Sequence, residues 1–241
     1  MLSILVPSLN EKYLERTIQD IKEKAETDIE VLTEEDLGMG HRALTNKLAR
    51  KAKGEWLMKL DAHCSMSQGF DKEMLALADK NTLQAPILCK LDAVNWQIIP
   101  KPRCVCYCFN RDLIFDYWEE YEERDKNTLT ETLSLQGSCF MCHRDKFFEL
   151  ELCGEEFGSW GQQGVEIALK FWLSGGRVVT NRNAFYGHLF RNMDEFPYKR
   201  DMKQVERTKD YCKDLFINNK WTKATLKFED IINKFKPVKH W

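Results

Sequence analysis

Apolar residues open the chain in a short run, Leu2–Val6, closed by Pro7-Ser8-Leu9-Asn10. A run this short ending on turn-forming residues predicts a buried strand and then a loop. The spacing then changes. Leu14, Ile18, Ile21 and Ala25 recur at helical intervals with charges between them, which predicts an amphipathic helix. Ile29–Leu32 reads as a second strand, followed by an acidic, Gly-containing loop over Thr33–Gly40. Leu44, Leu48 and Ala52 form the stripe of a second helix, with Ala49 beside them and Gly54 at a C-cap-like position. Glu55–Leu60 is the third strand. Strand, helix, strand, helix, strand in this order predicts parallel strands with helices packed on the sheet. Ligands of such sheets sit at the carboxyl ends of strands. Pro7–Glu11, Glu34–Gly40 and Asp61–Cys64 all fall there.

Further along, the pattern predicts a helix over Phe70–Asp79 and a strand over Leu83–Leu88. Leu133–Cys142 reads as a strand broken near Gly137, Val165–Leu173 as a helix stopped by Gly175-Gly176, and Arg177–Thr180 as a strand. Leu91–Leu135 has no clear period. It is rich in aromatics, among them Trp96, Tyr107, Phe109, Trp118 and Tyr121, and strands followed by a helix or irregular insert are expected. Such aromatics are more often core than a platform for stacking on a sugar or base. Beyond Arg191 the chain turns polar and Lys-rich, and two helices, Asp201–Phe216 and Phe228–Phe235, are expected to wrap on the core. With no internal repeat or low-complexity linker, the expectation is a catalytic domain over 1–198 and a helical appendage over 199–241 packed on the same domain.

The 241 residues carry 43% hydrophobic and 31% charged positions, the balance of a soluble globular protein. A net charge of −2 gives no global attraction to nucleic acid or anionic lipid. A nucleic-acid acceptor is therefore unsupported by charge. No segment has the apolar length of a membrane span. The opening residues lack a basic stretch and a small-residue cleavage site, so they read as a core strand rather than a signal peptide. Nine cysteines without a leader predict reduced thiols in a cytoplasmic protein. Cys104, Cys106 and Cys108 alternate as on one strand face, which suits burial better than metal ligation. Cys139-Phe140-Met141-Cys142-His143 matches the c-type haem attachment pattern, yet it reads as an apolar strand with nothing haem-specific around it.

Three segments carry candidate chemistry. Asp61 and His63, two residues apart at a strand end, share a face and can reach one ion. An isolated Asp-x-His is more often a helix cap beside an exposed His. Here the strand before it is strongly apolar, and His188 offers a third ligand. Carboxylate with imidazole suits manganese or a similar first-row ion better than calcium. In Trp160-Gly161-Gln162-Gln163-Gly164-Val165-Glu166, Gly-rich backbone admits close approach of a ligand. Glu166 lies in the first turn of the helix that follows, where it either takes part in catalysis or only complements the helix dipole. In Tyr186-Gly187-His188-Leu189-Phe190-Arg191, a strand-end His precedes an Arg suited to phosphate.

Taken together, these segments resemble the GT-A glycosyltransferases, the family-2-like group, and within it the catalytic domains of the polypeptide N-acetylgalactosaminyltransferases. Ser3–Glu11 is similar to the opening strand and Asn-Glu loop of that group. Leu60–Cys64 resembles its metal-binding Asp-x-His. Trp160–Glu166, with Phe171-Trp172 and Gly175-Gly176, resembles its Trp-Gly-Gly-Glu-Asn-x-Glu segment and the next helix. Gly187–Arg191 resembles its Gly-His-Val-Phe-Arg. The four motifs stand in the right order over residues 2 to 198.

The resemblance implies an α/β GT-A fold, Rossmann-like, with a mixed central sheet flanked by helices. It implies a UDP-sugar donor and a divalent ion, manganese or magnesium, held by Asp61, His63 and His188 against the diphosphate. Pro7, Ser8, Asn10, Glu11, Asp36, Arg42, Ala62 and Arg191 are then expected around the nucleotide and diphosphate. Trp160, Gln163 and Glu166 are expected at the sugar. The implied reaction transfers a hexose or N-acetylhexosamine to a hydroxyl of a glycan, a protein or a modified nucleobase. Two departures bear on this. Gln163 stands where the family segment has its first Glu, and Gly164 where it has Asn. A Gln cannot take a proton, which argues against an inverting base here and toward a retaining outcome. A nucleotidyltransferase of the same fold, or an inactive nucleotide-sugar-binding protein, remains as an alternative.

Overall fold

The computed structural model describes residues 1–192, 195–199 and 201–241, and of Pro102 only the backbone. The opening alternation is as expected: β1 (Leu2–Ser8), α1 (Leu14–Lys24), β2 (Ile29–Glu35), α2 (His41–Lys51) and β3 (Trp56–Leu60). β1 is central to this half. It runs parallel to β2, with Leu2 opposite Ile29, and parallel to β3, with Leu2 opposite Trp56. All seven residues of β1 are buried, because helices cover both faces of a parallel sheet.

Next come β4 (Cys64–Met66), α3 (Phe70–Ala76), β5 (Thr82–Asp92), β6 (Gln97–Cys104), β7 (Tyr107–Phe109), β8 (Phe115–Tyr117) and β9 (Leu129–Glu131). They are followed by β10 (Cys139–His143), α4 (Arg144–Glu149), α5 (Gln163–Leu173), β11 (Arg177–His188), α6 (Met202–Ile217) and α7 (Phe228–Phe235). Among the described residues one mixed sheet runs β2-β1-β3-β10-β5-β11-β4, with β6 added to β5 and β9 to β11. The sheet turns from parallel to antiparallel where β10 pairs with β3. β7 and β8 form a small separate ribbon.

Most boundaries shift by a few residues, as where β5 runs to Asp92 and α3 stops at Ala76, and two differ more. Leu133–Cys142 is not one strand: only Cys139–His143 pairs, and Gly137 lies in the loop before it. Strand β11 continues to His188, well past Thr180, through a register shift between Asn181 and Phe185 that a period-two pattern does not show.

Of the aromatics between Leu91 and Leu135, Tyr107, Phe109 and Trp118 are buried core residues. So are all nine cysteines, each unpaired, and His143 caps α4 by accepting the amide of Asp145. Cys212 and Phe216 of α6 and Phe228, Ile231, Ile232 and Phe235 of α7 join the same apolar cluster as Phe171 and Trp172 of α5. Each large buried apolar side chain contributes about 1.5–3 kcal/mol. The expected boundary at 198/199 falls beside Arg200, which lies outside the described residues.

Candidate functional site

Asp61 and His63 do not lie on a strand, as the spacing suggested. They occupy the short turn between β3 and β4. β11 brings the third residue: its end pairs with β4, placing His188 opposite Cys64, and the amide of Leu189 donates to the carbonyl of His63 at 3.2 Å. The Asp61 amide is pinned to the Ser138 carbonyl at 2.8 Å, and the Ser138 and Tyr186 hydroxyls share a hydrogen bond of 2.6 Å.

Asp61, His63 and His188 each offer a ligand atom within 4.8 Å of the others. The two imidazole rings lie 4.8 Å apart, and His188 Nε2 is 3.3 Å from Asp61 Oδ2. His188 Nδ1 is buried without a hydrogen-bond partner. Burial pushes the His188 pKa down to about 4, against the opposing pull of Asp61, so the ring is neutral at pH 7. Burial alone would raise the Asp61 carboxyl. The Lys59 ammonium and both histidines outweigh it and hold Asp61 well below the usual carboxylate range. An ionised carboxylate, two imidazoles and an orphaned ring nitrogen suit a first-row divalent ion.

Glu11 closes one side of this cluster. Its carboxylate accepts from Arg191 Nη2 at 2.6 and 2.7 Å, and its Oε2 is 3.1 Å from His63 Nδ1. The contact with His63 is close but not aligned as a hydrogen bond. Burial would raise the Glu11 pKa, but His63 and Arg191 hold it lowered. A carboxylate beside a candidate His ligand limits the orientations its ring can take, and Glu11 stands in that place between His63 and Arg191.

The other expected nucleotide contacts divide. Asn10 is exposed at the end of the β1 loop with its amide on Glu35 Oε1, and Ser8 Oγ is buried with no partner. Pro7 is buried in β1 opposite Glu34. Ala62 turns its methyl into the core. Asp36 is spent within its own loop: its carboxylate accepts from the amides of Gly38, Met39 and Gly40 just before α2. The side chains of Pro7, Ala62 and Asp36 are thus taken up within the protein, which leaves their backbone to face a ligand.

Arg42 and Glu166 need a larger correction. They are 1% and 0% exposed, and they pair with each other. Glu166 also accepts from Lys170 Nζ at 2.6 Å and from the Gly154 amide at 3.0 Å, while Arg42 donates to the Gly161 carbonyl at 2.8 Å. A buried carboxylate with three donors is a structural anchor: it ties α2 and the Gly161 loop to α5. Trp160 is 39% exposed, with its backbone held by Gln204 of α6. Gln163 packs against Gly137 and donates to Cys153 Sγ at 3.4 Å.

Sequence reasoning missed Lys59 and Lys170. Lys59 pairs with Asp61 and donates to the Gly137 carbonyl at 2.8 Å. A lysine within an apolar strand, and another one helical turn after an acid, were the available signals.

No family model matches the chain. It is 25% identical over 167 residues to polypeptide N-acetylgalactosaminyltransferase 3 of Drosophila melanogaster, covering 65% of this chain and 25% of that protein. It is 24% identical over 205 residues to the human polypeptide N-acetylgalactosaminyltransferase 13, covering 81% of this chain and 36% of the relative. The chain therefore spans about a quarter to a third of the length of these relatives. Among solved structures, GalNAc-T7 with UDP, GalNAc and Mn2+ aligns at a TM-score of 0.72 and 19% identity, covering 97% of this chain and 53% of that one. TarS of S. aureus in complex with UDP-GlcNAc aligns at a TM-score of 0.59 and 14% identity, covering 95% of this chain and 69% of that one. The chain has the GT-A glycosyltransferase fold, and its relatives in sequence are polypeptide N-acetylgalactosaminyltransferases.

Proposed function

We propose that this chain is a metal-dependent glycosyltransferase that moves a hexose or N-acetylhexosamine from a UDP-sugar to a hydroxyl acceptor, a glycan or a protein side chain. The convergence of Asp61, His63 and His188 at the sheet edge carries the reading. A neighbour of the same fold that binds UDP, GalNAc and Mn2+ supports the choice of ligands.

Asp61, His63 and His188 would hold the ion. When bound, manganese or magnesium there supplies positive charge to the diphosphate as it leaves. Asp61 enters as an ionised carboxylate and His188 as a neutral imidazole. Arg191 meets Glu11 through Nη2, and its planar fork carries further donors suited to phosphate oxygens. Ser8 Oγ, buried without a partner at the end of β1, would be a further donor there. In the Trp160 segment, Gln163 cannot take a proton and Glu166 is locked in its buried pairs. This supports a retaining outcome, in which the departing diphosphate itself assists the acceptor. Nine buried, unpaired thiols support a reducing compartment such as the cytoplasm.

The same two residues favour a second reading, an inactive nucleotide-sugar-binding protein. Calorimetry with UDP, with and without Mn2+, tests the shared part, and a panel of UDP-sugars scored for slow hydrolysis to UDP separates the two. UDP affinity indifferent to manganese overturns both. Metal-linked affinity without turnover of any sugar leaves the binding protein.

A further inference from the structure

Lys59 lies on β3, one residue before the strand ends, and its side chain is 1% exposed. A lysine this deep is rare unless paired. Its ammonium pairs with Asp61 Oδ1 and donates to the Gly137 carbonyl at 2.8 Å. The other Asp61 oxygen, Oδ2, faces His188. Across the cluster, Glu11 is neutralised in the same way by Arg191. Two carboxylates thus meet two cations, and the formal charge around the triad cancels before any ion arrives.

Divalent ions depend on anionic ligands to repay the water they shed. We propose that Lys59 is an internal counter-cation for Asp61: it keeps the triad's affinity for a bare divalent ion low and makes ion capture depend on the nucleotide diphosphate. This rests on the reading of the triad as a diphosphate-metal site. Lys59 is too deep to touch a ligand, so it acts through Asp61 as a positioning residue. The diphosphate brings the negative charge that Lys59 cancels on the protein side. By linkage, the gain in metal affinity from UDP equals the gain in UDP affinity from the metal.

The test is Mn2+ binding followed by the electron paramagnetic resonance signal of the free ion, with and without UDP. The proteins are the wild type, K59M, K59Q and D61A. The wild type should bind Mn2+ alone at least about tenfold more weakly than with UDP. K59M and K59Q remove a positive charge from beside the ion and should bind bare Mn2+ at least about tenfold more tightly than the wild type, shrinking the gain from UDP. A packing role alone would leave affinity unchanged or weaken it, so tightening is the distinguishing direction. Unchanged or weaker binding in folded K59M and K59Q overturns the proposal. So does a wild type that binds bare Mn2+ as tightly as it does with UDP, a result that needs no variant to fold. A wild type that binds no Mn2+ even with UDP, like D61A, sinks instead the assignment of the triad.

Discussion

Arg42 and Glu166 form an ion pair that is 1% and 0% exposed, although 124 residues separate them in the chain. The pair fastens the start of α2 to the start of α5, and Lys170 completes it. Removing one partner of a buried pair strands the other. E166Q should therefore cost about 3–5 kcal/mol in folding stability. Urea unfolding of the variant measures it. Full stability with lost turnover would instead return Glu166 to catalysis.

The same carboxylate predicts an acid-sensitive contribution. Burial would raise its pKa, but Lys170 and Arg42 outweigh burial and hold it below the ordinary 4.5. The folded value lies below the unfolded one, so the unfolded state binds the proton more readily. The stabilisation is complete above the unfolded value and is lost as pH falls through the folded one. Melting temperatures of the wild type should drop as pH falls below about 4.5, and E166Q should show a shallower drop. Parallel curves would mean that other carboxylates dominate acid unfolding.

Much of this was legible because the opening half is built from plain periods. The runs at Leu2, Ile29 and Trp56 pair in register as parallel strands. What the pattern hid is buried polarity. The α1 stripe read through Ile18, yet the buried face is Thr17, Asp20 and Ile21. Asp20 is satisfied there by Lys24, Ser65, the Met66 amide and Trp96 Nε1, partners drawn from up to 76 residues away. No local rule distinguishes such an acid from an exposed one. The metal candidates were legible as residue types because Asp-x-His followed an apolar strand and His188 offered a third ligand. Their partners were not, because Lys59, Glu11 and Arg191 acquire meaning only when β11 returns beside β4.

Glu11 yields a further prediction. Its carboxylate touches both His63 and Arg191. E11Q removes the charge that holds both, so Mn2+ affinity in the presence of UDP should fall by about 10–100-fold. E11D, which keeps the charge on a shorter arm, should lose less. Titration of Mn2+ into UDP-saturated protein decides it. Equal affinity in E11Q and the wild type would show that His63 needs no orienting partner.

Gly164 and Gln163 are two of the three positions where the chain departs from the family segment, Gln162 being the third, and the structure separates the two. A Cβ on Gly164 would lie 1.9 Å from the Leu135 carbonyl oxygen and 3.1 Å from the Gly137 amide nitrogen. Both neighbours are backbone, so neither can swing aside as a side chain would. Gln163 is only partly buried, and its amide meets Cys153 Sγ at 3.4 Å. G164A should therefore cost at least about 1–3 kcal/mol by overpacking, and G164N more. Q163E should fold with little loss. The two differ in consequence as well as size. Displacing Leu135 and Gly137 would move the carbonyl that holds Lys59, and with it Asp61. G164A should then weaken Mn2+ binding in the presence of UDP, whereas Q163E should leave it intact. Thermal melts paired with Mn2+ titrations on both variants measure this, and a G164A protein with wild-type values in both would refute the close contact.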